Sequence, residues 1–414
     1  MKILAIETSC DETAAAIIED GTKIISNVVA SSKDLHEKTG GIIPEVAARE
    51  QVKCIIPVIN EAIKTPRGWP NGLPRGGGIE TTIRENIDAL AVTIGPGLIG
   101  SLLVGVETAK TIAYVTGKPI IPVNHIFAHI YANWLTDNKD SPGRSSLQDK
   151  RSATPSRWPN GLLEGEGKVP LFPAIALVVS GGHTELFLMS NYQRIKWLGG
   201  TRDDAAGEVF DKTARVLGLR FPGGPAVASE AAKFCNSHPE LTDTVTLNSF
   251  QGPHGIPKQV RNDKKTVQHD IVKLPRPMMN EENFEFSFSG LKTAVLREIN
   301  KLKTLNKLND EMIQRLAYEI QESITDVLVK KTLDAAKKYK VKSILLGGGV
   351  AANKRLTDKF KLKIENFKLK INLHVPPPLL CTDNAAYIAS FAYFHNKPIH
   401  WQKIQAQPDL EVEV

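Results

Sequence analysis

The chain is poor in the features that mark several large classes of protein. Its 414 residues include only four cysteines, Cys10, Cys54, Cys235 and Cys381, far apart and without a C-x-x-C pair. That spacing argues against a disulfide framework and fits a reduced, cytoplasmic setting. No apolar run approaches the ~20 residues needed to cross a bilayer, and Lys2–Thr8 is too short for a secretion signal, so no membrane role is expected. No glycine-rich turn continues into Lys and then Ser or Thr, which excludes a Walker A loop. No G-x-G-x-x-G precedes a matching acidic residue. The pair His125-x-x-x-His129 lacks the Glu that follows the first histidine of a zincin helix. Ile126 stands there, which excludes a metalloprotease of that type.

What is present describes a globular protein. The hydrophobic fraction of 42% and charged fraction of 23% allow a sizeable core, and the length calls for two lobes. The 52 Lys and Arg exceed the 45 Asp and Glu, giving +7, with a pI near 9.0. That balance permits nucleic acid or another polyanion as a partner.

Apolar strands alternate with helical segments along the chain. Strands are expected at Lys2–Thr8, Thr13–Glu19, Lys23–Val29, Ala89–Ile94 and Ile120–Val123. Helices are expected at Pro44–Lys64, with Val46, Cys54, Ile55 and Val58 inward, at Leu98–Thr116, and from Asn124 onward. A second round opens with Ala174–Ser180 and returns as Glu185–Met189. Helices are then expected at Asp204–Leu217, Glu311–Lys338, Val350–Phe360 and Asp383–Tyr393, with a strand at Ser343–Leu346. The hairpins Ile6-Glu-Thr-Ser-Cys-Asp-Glu-Thr13 and Val179-Ser-Gly-Gly-His-Thr184 echo one another at the start of each half, which suggests duplicated α/β lobes. Residues 66–80, 141–167 and 251–270 interrupt this order as surface insertions. Trp69-Pro-Asn-Gly-Leu73 in the first recurs as Trp158-Pro-Asn-Gly-Leu162 in the second, which reads as copied insertion sequence.

Chemistry is expected at the turns after strand ends, where free backbone N–H groups meet anions. Three such turns are glycine-rich: Gly95-Pro-Gly97, Ser180-Gly-Gly-His183 and Gly347-Gly-Gly349. Together they predict a cleft for a nucleotide or acyl phosphate. Glu7, Asp11 and Glu12 flank the first hairpin. On a helix, Asp204, Glu208 and Asp211 share a face, which is costly unless a cationic or hydroxylated group is held there. His125 and His129 lie one helical turn apart and make half of a transition-metal site, which a carboxylate from another segment would complete. In Cys381-Thr-Asp383-Asn384, Asp383 by itself reads as a helix N-cap.

The ordered set of motifs is specific. It comprises the first hairpin, Gly95-Pro-Gly97, His125-x-x-x-His129, Ser180-Gly-Gly-His-Thr184, Asp204-Ala-Ala-Gly-Glu-x-Phe-Asp-Lys212, Pro222-Gly-Gly-Pro225, Phe286-Ser-Phe-Ser-Gly-Leu-Lys292, Gly348-Gly-Val-Ala-Ala-Asn353 and Cys381-Thr-Asp-Asn384. From residue 1 to about 400, outside the insertions, the chain resembles the bacterial TsaD family of tRNA threonylcarbamoyladenosine transferases. The resemblance implies an α/β actin-like ATPase (ASKHA, sugar-kinase and Hsp70) fold of two duplicated RNase H-like lobes with a cleft between them. Lobe I would span residues 1–135 and be completed by a helix at 384–400. A linker would occupy 136–170, and lobe II 171–383.

The same resemblance implies one divalent metal per chain held by His125, His129 and Asp383, with iron(II) favoured and zinc also accepted. It implies that Val178, Val179, Ser180, Gly181, Gly182, Asp211, Gly224 and Asn353 hold threonylcarbamoyl-AMP. The group would pass to the N6 amine of adenosine 37 in tRNAs reading codons that begin with A, and the position of Asp11 and Glu12 suits them to take the amine proton. Partners would be tRNA, the inactive paralogue TsaB and the small ATPase TsaE. A small-molecule kinase of the same fold gives no reason for two histidines and Asp383 to form a metal site. A tRNA-binding scaffold gives none for retaining every ligand.

Overall fold

The computed structural model describes residues 1–64, 78–137, 169–238 and 272–412. The expected insertions 141–167 and 251–270 lie outside these residues, as do 66–77. The last residues of the stretch 66–80 are not loop: they open a helix at Ile79.

The first half is β1 (Lys2–Glu7), β2 (Glu12–Glu19), β3 (Lys23–Ser31), α1 (Lys33–Thr39), α2 (Pro44–Lys64), α3 (Ile79–Asn86), β4 (Ala89–Gly95), α4 (Ile99–Thr116), β5 (Ile120–Asn124), α5 (His125–Tyr131) and the short β6 (Thr136–Asp137). Strand β1 is an unbroken apolar run buried on both faces, and β3 alternates buried and accessible residues. A central and an outer strand follow from those patterns. The sheet order is β5-β4-β1-β2-β3-β6. In α2, Ile55 and Val58 are buried as expected, while Val46 and Cys54 are only half-buried. Ala47, Gln51, Ile59 and Ala62 complete the inward face.

The second half is β7 (Ala174–Val179), β8 (Thr184–Met189), β9 (Ile195–Gly200), α6 (Ala206–Val216), α7 (Gly223–Ser237), α8 (Ser289–Thr304), α9 (Asp310–Lys338), β10 (Ser343–Gly347), α10 (Lys354–Asn366), β11 (Asn372–His374), α11 (Pro378–Cys381) and α12 (Ala385–His395). Its sheet order is β11-β10-β7-β8-β9. In both sheets three antiparallel strands are followed by two strands parallel to the first. The weak hairpin echo is therefore a repeated topology, that of the actin-like ATPase fold with its two RNase H-like lobes.

Each lobe has its own apolar core, and a third core joins them. It runs from Ile3 and Ala5 of β1 through Ile126, Ile130, Tyr387 and Ile388 to Ala176, Val178 and Phe187. Helices α5 and α12 thus lie between the two sheets, with their N-termini at the carboxyl edges of the strands. No helix among the described residues is long and apolar enough to cross a membrane.

Two helix starts differ from expectation for one reason. Asn384 caps α12, its Oδ1 accepting from Ala386 N at 3.0 Å, so the helix begins after Asp383 and leaves that carboxylate free. Asn353 caps α10 by accepting from Leu356 N at 3.2 Å, so a 3-10 turn, Gly349–Ala352, fills the start of the expected helix.

Candidate metal centre and ligand cleft

Helix α5 begins where β5 ends because Asn124 Oδ1 accepts from Ile126 N at 2.9 Å and Phe127 N at 3.2 Å. That cap fixes His125 in the first turn and His129 one turn on. Their Nε2 atoms face each other at 3.2 Å and lie 3.7 and 3.5 Å from Asp383 Oδ1. These separations are less than twice the ~2.1 Å of a typical bond from zinc to nitrogen or oxygen, so one ion can reach all three atoms. Among the described residues this is the cluster able to hold a metal ion. The far nitrogen of His125, Nδ1, lies 3.2 Å from Glu7 Oε2 and 3.3 Å from Ser9 Oγ. An ionised carboxylate only accepts, so Nδ1 carries the proton and the Nε2 lone pair is left for a metal. Glu7 is itself pinned by Ser9 N at 2.5 Å and by the Thr93 hydroxyl. His129 is held by packing instead, its ring 4.6 Å from both His125 and Tyr387, and the Tyr387 hydroxyl donates to Asp383 Oδ1 at 3.3 Å.

The glycine turns divide. Gly95-Pro-Gly97 is covered by the chain's own C-terminal segment: Gln407 N donates to Ile94 O at 2.6 Å and Gly97 N to Pro408 O at 3.1 Å. A Cβ on Gly97 would also fall 2.4 Å from Ser9 O. This turn serves close backbone packing, which corrects the expectation that it lines the ligand cleft. At Ser180-Gly-Gly-His183, by contrast, Gly181 and Gly182 are exposed and a Cβ on either would meet nothing within 4 Å. The turn is closed by Ser180 N donating to His183 O at 2.9 Å, and by His183 N donating to Ser180 Oγ at 3.2 Å. The start of α6 abuts it, a Cβ on Gly207 falling 2.3 Å from Ser180 O. Gly348, at φ +86°, packs on Val179 O, and Gly347 on His129 O. Of the lobe II turns, the one after β10 therefore sits against the helix that carries the histidines.

The other expected ligand residues have definite places. Val178 and Val179 are fully buried and offer a ligand only the strand end. Asp211 accepts from Gly223 N at 2.6 Å, which ties it to the turn bearing Gly224, and it lines a cavity of about 370 Å³. That cavity lies between the lobes, with Glu37 and Gly40 on one side and Arg215, Arg220 and Phe221 on the other. Both ends of the Asn353 amide are engaged, one by the α10 cap and one by donating to Gln321 Oε1 at 3.1 Å. Asp204, Glu208 and Asp211 do not form one acidic helix face. Asp204 precedes α6, and Lys212 of the same run bridges it and Glu208 at 2.7 and 2.8 Å. The Phe286-Ser-Phe-Ser motif is structural: its two serine hydroxyls and two backbone N–H groups converge on Asp203.

The family model for TsaD, tRNA N6-adenosine threonylcarbamoyltransferase, matches residues 23–151 and 160–390. The chain belongs to the TsaD family. A relative described as tRNA N6-adenosine threonylcarbamoyltransferase from Persephonella marina is 40% identical over 95% of this chain and 90% of its own length. A second with the same description, from Syntrophomonas wolfei, is 40% identical over 99% of this chain and 97% of its own. Among solved structures, (R)-2-hydroxyglutaryl-CoA dehydratase component A from Acidaminococcus fermentans is similar over 95% of this chain and 98% of its own, at 12% identity and a TM-score of 0.44.

The electrostatics of this TsaD-family site are those of a crowd of carboxylates around two imidazoles. Burial alone would lower the His125 pKa, but Glu7 and Asp383 outweigh it and hold it at about 9. Burial, then His125 and His183, press His129 well below its ordinary value. Burial raises Asp383 to about 6 against the pull of His125, with Glu7 and Asp11 adding to the rise. Glu12 is raised well above the carboxylate range by burial, then by Asp11 and Asp383. A divalent ion bound there would supply the charge that such a set of donors calls for. In the sequence Glu7 is one of the acids of the first hairpin, with nothing local to give it a part in the site. Its partner His125 lies 118 residues away, and only the β1–β4–β5 sheet order reveals the pairing. Ser9, Thr93 and Tyr387 carried no signal of their own.

Proposed function

We propose that this chain transfers the threonylcarbamoyl group from threonylcarbamoyl-AMP to the N6 amine of adenosine 37 in tRNAs reading codons that begin with A. As a member of the TsaD family it is an enzyme of tRNA threonylcarbamoyladenosine modification. The observation that carries the detailed reading is the convergence of His125, His129 and Asp383 on one point, with Gly347 of lobe II packed on His129 O of the histidine helix.

In this reading His125, His129 and Asp383 hold one divalent metal, iron(II) favoured and zinc accepted. When bound, it supplies Lewis-acid chemistry at the threonylcarbamoyl carbonyl or carboxylate. Glu7 keeps His125 in the tautomer that presents Nε2. The backbone around Ser180–Gly182 and the first turn of α6 meet the adenylate phosphate, and the cavity beside Asp211 and Gly224 takes the nucleoside. The amine nitrogen attacks the carbamoyl carbonyl carbon, the bond from that carbon to the adenylate oxygen breaks, and AMP departs with the electron pair. The amine proton passes to Asp11. Glu12 stands beside it, its own pKa raised by burial and by Asp11. TsaB and TsaE are the partner proteins of this reading.

The test supplies metal-loaded chain, threonylcarbamoyl-AMP, the partner proteins and tRNA, and measures modified adenosine by nucleoside mass spectrometry. Threonylcarbamoyladenosine that depends on this chain is the expected product. ATP-dependent phosphorylation of a small molecule with no modified nucleoside would contradict the reading.

A further inference from the structure

We propose that the amino-end edge of the lobe II sheet is a second docking surface for the tRNA substrate, remote from the cleft and reading phosphates rather than bases. The inference rests on the transfer reading above.

The starting observation is where the basic residues lie. Of the chain's 52 Lys and Arg, 13 fall within residues 330–370, against only three of its 45 Asp and Glu. That one stretch holds more than the whole positive excess of +7, so the rest of the chain is slightly acidic. Four of the 13 are turned inward. Lys359 and Arg355 bind Glu322, Lys331 bonds to Asn283, and Lys363 is buried. Six others, Lys337, Lys338, Lys340, Lys342, Lys368 and Lys370, are all exposed.

The fold gathers these six. Lys337 and Lys338 end α9, Lys340 makes the turn after it, and Lys342 immediately precedes β10. Lys368 and Lys370 follow α10 and precede β11, and Asn372 N donates to Lys342 O at 2.9 Å, bringing the two segments side by side. The Lys337 ammonium sits 4.0 Å over the ring of Phe367, which is 45% exposed. Lys338 lies 5.1 Å from the Phe284 ring. None of the six makes an ion pair with a carboxylate among the described residues. Asp334, one turn before Lys338, is already bridged to Lys330 at 2.6 Å. Two lysines at each helix end would suffice to meet the helix dipoles. A further pair at the strand starts, with accessible aromatic rings between them, makes a surface complementary to a polyanion that can also stack.

Its distance from the cleft selects the partner. Helix α9 links the two places, since Gln321 holds Asn353 at the cleft end and Lys337 stands 16 residues further along. At 1.5 Å per residue that is about 24 Å. The same span covers about seven base pairs of a nucleic-acid helix at ~3.4 Å each. An RNA with its target adenosine in the cleft would thus lay phosphates on this surface only if its helical body continued well past the loop being modified.

The test compares full-length tRNA with a short hairpin carrying only the anticodon loop and stem, using the complete chain and its partner proteins. The variants are Lys337→Glu/Lys340→Glu/Lys368→Glu and the milder alanine triple. For full-length tRNA the glutamate triple should raise KM at least about tenfold, leave kcat unchanged, and lower the slope of log affinity against log salt by about 1 per lysine. The alanine triple should fall between it and wild type, and the hairpin should show no difference among the three proteins. Equal losses on tRNA and hairpin, or wild-type KM and salt slope on tRNA, would overturn the proposal. So would variants that bind tRNA normally but no longer assemble with a protein partner or with anionic vesicles. Absence of transfer by the wild-type chain to either RNA contradicts the transfer reading instead, and direct tRNA binding by the same variants then decides the surface on its own.

Discussion

The two lobes share one strand order but spend their strand ends differently. In lobe I the β1–β2 hairpin end carries Glu7, Ser9, Asp11 and Glu12, and the end of β5 carries the histidine helix. In lobe II the turn after β7 is Ser180-Gly-Gly-His183 and the end of β10 is Gly347-Gly-Gly349. In the reading proposed above, lobe I supplies the two histidines and the acids of the first hairpin, and the second half supplies Asp383 and the open backbone of Ser180–His183. The glycine turns after β4 and β10 are both packed, but against different neighbours. The first is sealed by residues 407 and 408 of the chain itself, while the second packs against Val179 and His129. Topology fixes where ligands can gather, and the turn residues decide which chemistry is possible there.

The two hairpins also place a carboxylate differently. Glu7, at the end of β1, stays below its ordinary range: burial opposes this, but His125, Ser9 and Thr93 prevail. Glu185, on β8, has the Trp197 indole N–H at 2.7 Å and no ion pair among the described residues, and burial pushes it up to about 7. One hairpin holds its carboxylate ionised through His125, Ser9 and Thr93, and the other shifts its carboxyl toward the neutral form.

The largest effect is expected at the proposed metal centre, where the two halves meet. Asp383→Ala should lower transfer by about two to three orders of magnitude while leaving the circular dichroism spectrum unchanged. Retention of more than a tenth of the rate would remove Asp383 from the chemistry. Next comes Glu7→Gln, which keeps the shape but weakens the hold on His125. Metal affinity measured by competition with a chelator should fall about 10–100-fold; unchanged affinity would mean that Glu7 serves only the fold.

The glycine contrast predicts a split. Gly348→Ala forces a side chain into φ +86° and against Val179 O, with strain of about 1–3 kcal/mol. It should raise KM for the adenylate more than it lowers Tm. Gly95→Ala, at φ +155° and 1.8 Å from Gln407 O, should displace the C-terminal segment and lower Tm with KM unchanged. If both variants act alike, the two turns are not doing different jobs.

The smallest effect is a pH dependence of stability. The Glu185 pKa is raised on folding from its ordinary 4.5, so its neutral form favours the folded state. That contribution is complete below pH 4.5 and is lost as pH rises through about 7. Relative to Glu185→Gln, the wild type should therefore lose stability between pH 4.5 and 8, on the order of 1 kcal/mol given its partial exposure. Parallel denaturation midpoints across that range would exclude the proton on Glu185.

Much of this arrangement was legible in the sequence because it depends on local pattern. Apolar strands, a histidine pair at helical spacing and two similar hairpins gave the α/β halves and the half-site, and the family resemblance added Asp383. Reading the residues alone left Asp383 as an N-cap, since a cap at 383 or 384 looks the same until a hydrogen bond chooses Asn384. Glu7 was hidden because its role depends on three strands meeting. The acidic run from Asp204 to Asp211 misled because the helix starts at Ala206 and Lys212 already supplies the cation. Gly95-Pro-Gly97 misled because nothing local reveals that residues 407 and 408 return to cover it.

The most direct test of the account is the metal content of the purified chain, by mass spectrometry, for wild type, His125→Ala and Asp383→Ala, with threonylcarbamoyl transfer measured on the same samples. The account predicts about one iron or zinc per wild-type chain, its loss in both variants, and loss of transfer with it. A metal-free wild type that transfers at full rate would contradict the central claim that His125, His129 and Asp383 form a metal centre.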